Sequence, residues 1–283
     1  MKVSVIIVHY QVKDLLRNCI LSIKKYFHDF EYEIIVADNN SPNPDWKSLI
    51  SEFPDVRFLP LEDNLGFSKA NNLAVAQARG EYVYILNPDT EIEGDYFKEI
   101  LDFADSQAEF GALGLRMHNA KGEFLPESKR SVPALINSFE KLFTRFNNNS
   151  KSYYRNDVGE FEIAEVDIMT GANLLVKKSV YAQVGGFDEQ YFMYGEDIDL
   201  CYTIRQKGYR NFYYGKYSIL HHKGESTVKD KVYLERFYGA MAIFIKKYYR
   251  KQKPFQYLLM KIGLNIKYTS DLRKLTPLSP KEK

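Results

Sequence analysis

Four groups of residues in this chain are of types that can do chemistry. The first is Asn87-Pro88-Asp89-Thr90, set directly behind the strand-forming run Tyr82-Val83-Tyr84-Ile85-Leu86. A carboxylate at a strand end can hold Mg2+ or Mn2+, hard cations that take oxygen ligands and keep positions open for phosphate oxygens. Pro88 stiffens the turn and so aims the carboxylate. The second is Glu196-Asp197-Ile198-Asp199, which follows the aromatic, glycine-rich stretch GGFDEQYFMYG. A general base must lie within hydrogen-bond reach of an acceptor hydroxyl, and one of these acids can serve. The third is His221-His222, followed by Lys223. An imidazole beside an aspartate can join a metal site, and a lysine there suits a diphosphate. Neighbouring strand residues point to opposite faces, so at most one of the two histidines enters such a site. The fourth is Asp38, before Asn39-Asn40-Ser41, which can accept a hydrogen bond from a nucleotide base.

Each group taken singly has a stronger ordinary reading. Asp89 can cap its loop, and acids in a first helical turn are favoured by the helix dipole. A lone histidine is more often packed or solvated than a ligand. Asp38 can close an Asx turn on Ser41, and Asn71 and Asn72 can merely solvate a helix. The weight comes from where the groups fall together.

Those positions are set by an alternation of elements. The run VSVIIV (3–8) reads as a buried parallel strand, followed by a helix with Leu15, Leu16, Cys19, Ile20 and Ile23 at helical spacing. Further strands are expected at 32–41, 56–61 and 81–87, with a helix over 66–78 opened by Asn64-Leu65-Gly66. This is the pattern of an open α/β sheet, in which ligands sit at the carboxyl ends of the strands. His9-Tyr10, Asp38-Asn39-Asn40, Asp63-Asn64 and Asn87-Pro88-Asp89 all fall at such ends. Beyond residue 110 the regularity breaks: a strand and a turn at Lys121-Gly122, a mobile loop over 134–160, a strand pair over 166–178, a helix over 196–208, and strands at YRNFYY and YSILHH. No GxGxxG or GxxxxGK[ST] phosphate loop occurs, which argues against dinucleotide oxidoreductases and P-loop nucleotidases.

Taken in order, VSVIIVHYQ, IIVADNNS, DNLGFSKANN, YILNPDT, TGANLLVKKS, GGFDEQYFMYGEDIDLCYTIRQKGY and HHKGES resemble the family two glycosyltransferases of the GT-A fold, in particular a rhamnosyltransferase-like branch. The resemblance covers about residues 1–227 and implies a GT-A α/β fold, a mostly parallel central sheet flanked by helices. It implies an inverting enzyme that moves a sugar from a nucleotide-diphospho-sugar (dTDP-rhamnose or a UDP-hexose) to a glycan or lipid-linked acceptor in cell-surface polysaccharide synthesis. Carried onto this sequence, Asp197 is the catalytic base. His9, Asp38, Asp63, Gly66, Asn71, Asn87 and Glu196 bind the donor. Asp89 and one of His221 and His222, with His221 favoured, hold Mn2+ or Mg2+. The family's DXD motif reads Asn87-Pro88-Asp89 here, without its first acid. That departure motivates the alternative of a non-catalytic nucleotide- or carbohydrate-binding protein on the same fold.

Composition bounds the remainder. The chain has 283 residues, 45% of them hydrophobic, enough for a large core. Its aromatic share of 15% suits half-buried packing as readily as sugar stacking. Two cysteines make no disulfide framework or zinc pattern, and the N-terminal run is too short for a secretory signal, so a cytoplasmic place is expected. The net charge of +2 conceals a basic tail: residues 228–283 hold 14 Lys+Arg against 4 Asp+Glu, a local +10, which leaves −8 for residues 1–227. In that tail, read as a C-terminal helical extension, Leu234, Phe237, Met241, Phe244 or Ile245, and Tyr248 recur at helical spacing before a basic cluster. Such a helix can lie on an anionic membrane surface at the inner face or pack on the catalytic domain. An acidic main body without a recognition motif argues against nucleic acid as a partner.

Overall fold

The computed structural model describes residues 1–132, 153–222 and 230–275. The described strands are β1 (Val3–His9), β2 (Tyr32–Asp38), β3 (Arg57–Pro60), β4 (Tyr82–Leu86), β5 (Thr90–Ile92), β6 (Phe110–His118), β7 (Ile163–Glu165), β8 (Asn173–Lys177) and β9 (Arg210–His221). They form one sheet in the order β3-β2-β1-β4-β8-β6-β9-β5, with β7 also paired to β9. The α-helices among the described residues are α1 (Lys13–Tyr26), α2 (Ser48–Glu52), α3 (Gly66–Ala76), α4 (Phe97–Ser106), α5 (Lys178–Val184), α6 (Glu196–Gln206), α7 (Lys231–Tyr249) and α8 (Pro254–Leu275). The fold is α/β, a central sheet between helical layers with a C-terminal helical extension.

The strand sequences explain the layers. In β1 alternate side chains enter opposite cores: Val3, Val5 and Ile7 pack with α1 and α4, while Ile6 packs with α3, α5 and α6. A strand covered on both faces reads as a continuous apolar run, as this one does. Strands β3, β2, β1 and β4 are parallel, with His9 of β1 paired to Asp38 of β2. Their carboxyl ends therefore lie along one edge. The antiparallel β8 then separates β4 from β6.

Several elements differ from the sequence expectation. Within 166–178 only Asn173–Lys177 is a core strand; the preceding residues cross the sheet end, where Ile168 makes an isolated bridge to Arg130. The two strands expected around Gly215 are one, β9, because its register against β6 slips between Leu115 and Arg116 and absorbs the intervening residues. Helix α4, with Phe97, Ile100, Leu101 and Ala104 buried, and the short α5 were not anticipated. Of the loop expected over 134–160, residues 134–152 lie outside the described residues, as does Lys223.

Helix α7 packs on α6. The Tyr202 ring meets those of Phe244 and Tyr248 at 5.6 and 4.6 Å between centroids. Leu234, Phe244 and Ile245, on the apolar face of α7, are buried in this contact and against α8. Lys247 and Tyr248 fasten it by bonding Asp199, each at 2.8 Å.

Candidate active site

The turn after β4 settles how Asp89 is held. The Asn87 carbonyl accepts from the Thr90 amide at 3.3 Å and the Thr90 hydroxyl at 2.7 Å, a β-turn with Pro88 and Asp89 at its centre. The Asn87 amide donates to the Ala172 carbonyl at 3.0 Å, tying the turn to the start of β8. The chain then enters β5, which runs antiparallel to β9 with Thr90 opposite His221. This pairing lays Asp89 beside the end of β9: Nε2 of His221 is 3.4 Å from Oδ1 of Asp89. His222 turns away and bonds Glu91 at 2.8 Å. Oδ1 of Asp89 and Nδ1 of His221 are buried without a hydrogen-bond partner. A buried polar atom left so costs about 1–3 kcal/mol, which a ligand would offset. A carboxylate and an imidazole in contact, each with an idle buried atom, fit a divalent cation whose other ligands come from phosphate and water.

Elsewhere an exposed trio, His28, Asp29 and Asp95, has ligating atoms within 4.8 Å of one another. It lies beyond the end of α1 and just ahead of β2, at the amino ends of the strands, and includes neither Asp89 nor His221.

At the ends of β1 and β2, His9 and Asp38 are buried and bonded, Nδ1 to Oδ1, at 2.7 Å. Nε2 of His9 accepts from the Val12 amide at 3.1 Å, so Nδ1 carries the proton donated to Asp38. Asp38 also accepts from the Ser41 hydroxyl at 2.6 Å and the Ser41 amide at 3.0 Å, an Asx turn. Burial pushes its carboxyl up, but the bonds from His9 and Ser41 outweigh this and hold it below the usual carboxylate range. Oδ2 has only the Ser41 amide and keeps acceptor capacity.

Asn39, which the sequence reading placed only at a strand end, is a buried clasp. Its side chain accepts from the Leu65 amide at 2.8 Å and donates to Asn64 at 3.0 Å and the Gly66 carbonyl at 3.3 Å. Asp63, next to this clasp, is exposed. Gly66 has φ +78°, and a Cβ there would lie 2.4 Å from the Phe192 carbonyl oxygen. It seats the loop before α6 as well as opening α3. Asn71 does not solvate the helix: it is fully buried and bonds the Phe67 carbonyl at 2.9 Å, while its Oδ1 has no partner. Asn72 grips the same loop, bonding the Phe187 carbonyl at 2.8 Å and its amide at 3.0 Å.

That loop ends on Tyr194 and Gly195, with φ 71° and 79°, a tight left-handed step that delivers Glu196 and Asp197 into the first turn of α6. Oδ2 of Asp197 accepts from Arg130 at 2.5 Å and from the Gly171 amide at 3.2 Å. Oδ1 takes only the adjacent Ile198 amide, at 2.8 Å. Arg130 is buried and also bonds the Met169 carbonyl at 2.7 Å and Tyr153 at 3.2 Å. Burial opposes the guanidinium charge, but Asp197 beside it outweighs the penalty and holds it charged. Burial, with the Asp197 charge added, pushes the Glu196 carboxyl up to about 8. Adjacent carboxyls in environments this different divide into a protonated and a charge-compensated member. Gly171 and Ala172 join the two ends of the site, since one bonds Asp197 and the other Asn87. Asp199 serves α7 instead.

Arg130, Gly171 and Asn39 are the residues that sequence reasoning missed. Gly171 lies in the quoted TGANLL stretch. Arg130 stands in no periodic element.

A sheet of this order, with acids at the carboxyl ends of its parallel strands and a further acid pair opening a helix across from them, is that of a GT-A glycosyltransferase. The chain belongs to glycosyl transferase family 2, whose model matches residues 4–170. It is similar to N-acetylglucosaminyl-diphospho-decaprenol L-rhamnosyltransferase of Mycobacterium tuberculosis, 34% identical over 211 residues, 70% of this chain and 68% of that protein. It is also similar to rhamnosyltransferase WbbL of Escherichia coli K12, 28% identical over 231 residues, 78% of this chain and 83% of that one. These relatives place it on the rhamnosyltransferase-like branch. Among solved structures, GalNAc-T7 with UDP, GalNAc and Mn2+ shares the fold at TM-score 0.64 and 14% identity, covering 99% of this chain and 59% of that one. Mannosyltransferase PcManGT of Pyrobaculum calidifontis, in complex with GDP-Man and Mn2+, does so at TM-score 0.59 and 18% identity, covering 96% and 72%.

Proposed function

We propose that this glycosyltransferase is inverting and metal-dependent, and moves rhamnose or a hexose from a nucleoside-diphosphate donor to a hydroxyl of a glycan or lipid-linked acceptor at the inner face of a membrane. The observation that carries the reading is the contact of Asp89 with His221, each with an idle buried atom. The names of the two rhamnosyltransferase relatives support rhamnose, and that of the mycobacterial one a lipid-linked acceptor.

Asp38 receives the base through Oδ2. Asp89 and His221 would hold the divalent cation, which when bound would supply positive charge near the diphosphate. One imidazole in the set favours Mn2+ over Mg2+, which keeps to oxygen ligands. Arg130 and the Gly171 amide fix Oδ2 of Asp197 and leave Oδ1 to face the acceptor. Asp197 takes the acceptor hydroxyl proton as that oxygen bonds to the anomeric carbon, on the face opposite the diphosphate. The bond from that carbon to the diphosphate oxygen breaks, the nucleoside diphosphate leaves with the electron pair, and configuration inverts. Glu196, kept protonated, adds no second negative charge.

The test is calorimetric titration of dTDP, UDP and GDP, with and without Mn2+, on the wild type and on Asp89→Ala. Mn2+-dependent binding of one nucleotide, lost in the variant, is expected. Folded protein that binds none overturns the reading. Sugar transfer that survives Asp197→Asn would favour a different base, and folded wild type that binds the nucleotide but transfers no sugar would favour the non-catalytic alternative.

A further inference from the structure

Helix α8 is apolar on two opposite sides. One side, with Tyr257, Met260, Leu264, Tyr268 and Leu272, packs on α7. On the other, Phe255, Leu258, Ile262 and Ile266 are 71, 53, 49 and 66% exposed. They recur three, four and four residues apart, so they form one stripe, about 16 Å long at the helical rise. A helix hydrophobic all round is one that is covered all round. Lys261 and Lys267 lie about a third of a turn to either side of the stripe, and Arg273 and Lys274 lie beyond its end. The acid of this helix, Asp271, faces α7, where it accepts from Tyr238 at 2.6 Å and also pairs with Lys267 and Lys274. Asp271 thus takes up Lys267 and Lys274, and Lys261 and Arg273 are the cations left to the open face, which carries no carboxylate of its own. It belongs to the +10 extension.

We propose that this face of α8 docks on an anionic lipid bilayer, the stripe at the acyl boundary and Lys261 and Arg273 among the headgroups. This rests on the reading above, that the protein works at a membrane. The charge of the face selects a bilayer over a second copy, since two copies joined through it would bring two cationic borders together with no acid between them. No described helix is long and apolar enough to cross a membrane, so α8 lies on the surface. The sequence pattern directed attention to α7, whose face is largely covered, with Phe237 left exposed; the continuous open stripe belongs to its neighbour.

The experiment is co-sedimentation of the full chain with vesicles of phosphatidylcholine alone and of phosphatidylcholine with phosphatidylglycerol, at low and high salt. The wild type should sediment with the anionic vesicles, less so at high salt. The double variant Phe255→Ser/Ile266→Ser should bind at least about tenfold more weakly, from the apolar area it removes. Lys261→Gln/Arg273→Gln should lose the preference for the anionic lipid. Wild type that ignores anionic vesicles, or a stripe variant that binds them equally, overturns the proposal. So does self-association without vesicle binding that the stripe variant abolishes, which would assign the face to a second copy. Nucleotide titration on the same proteins separates the two readings: all should bind nucleotide alike, and vesicle binding without nucleotide binding would refute the donor site and leave this surface standing.

Discussion

Glu196→Gln tests the division of labour between the two adjacent acids. The Glu196 carboxyl is buried and pushed from 4.5 up to about 8, by burial first and the Asp197 charge second. In that window the folded protein holds a proton that the unfolded chain has released. Stability therefore falls as pH rises from about 4.5 to about 8 and levels off above. At about 1.4 kcal/mol per pKa unit the interval corresponds to at most about 5 kcal/mol, and relaxation around the buried charge reduces what is seen. Glutamine has the shape of the protonated acid and no titration. The variant should match the wild type near pH 4 to within about 0.5 kcal/mol. Near pH 8.5 it should be more stable by on the order of 2 kcal/mol, a few degrees in Tm for a chain of this size. Urea unfolding across this pH range, followed by the fluorescence of the buried Trp46, reads the difference directly, because all other titrating groups are common to both proteins. Sugar transfer by the variant should stay within about tenfold of wild type, as the amide keeps the shape and neutrality of the protonated acid. Parallel stability curves for the two proteins would mean that Glu196 is ionised in the fold, and the reasoning that leaves Asp197 as the sole negative acid would fail.

Two further substitutions probe the frame of the site. Gly66→Ala puts a Cβ 2.4 Å from the Phe192 carbonyl oxygen at φ +78°, so it should cost at least about 2 kcal/mol in urea unfolding and expose the loop before α6 to protease. Lys247→Met leaves buried Asp199 without its cation; burial already pushes that carboxyl up, with Lys247 and Tyr248 pulling it back. The loss should be about 3 kcal/mol at pH 8 and clearly less at pH 5, where a protonated Asp199 needs no partner. Equal losses at both pH values would show that Lys247 acts by packing alone.

The parts of the site legible in the sequence share one property: each lies at the end of a parallel strand or in the first turn of a helix. Alternating elements put strand ends along one edge, so His9, Asp38 and Asn87 could be grouped before any contact was known. The Asp89–His221 contact needed more. It depends on β5 returning beside β9 across a gap of well over a hundred residues, a pairing no local pattern encodes. The order of the site motifs in the chain, through the family resemblance, supplied what periodicity did not.

Arg130 and Asp199 mark the two ways in which such reading falls short. Arg130 lies in an irregular segment that bridges Tyr154 and Ile168, so its burial is a consequence of tertiary closure and its type alone suggests a surface residue. Asp199 is the converse. It stands two residues after Asp197, and two steps of about 100° carry a helical side chain to nearly the opposite side. The acids of one tetrapeptide could therefore never share one role: Asp197 faces Gly171 and the strand ends, while Asp199 faces α7, where Lys247 and Tyr248 bond it. The same helix turn thus presents the proposed base and anchors the extension that carries α8. Reorientation of α7 would act on Asp197 through one turn of α6, and Lys247→Met should disturb transfer as well as stability.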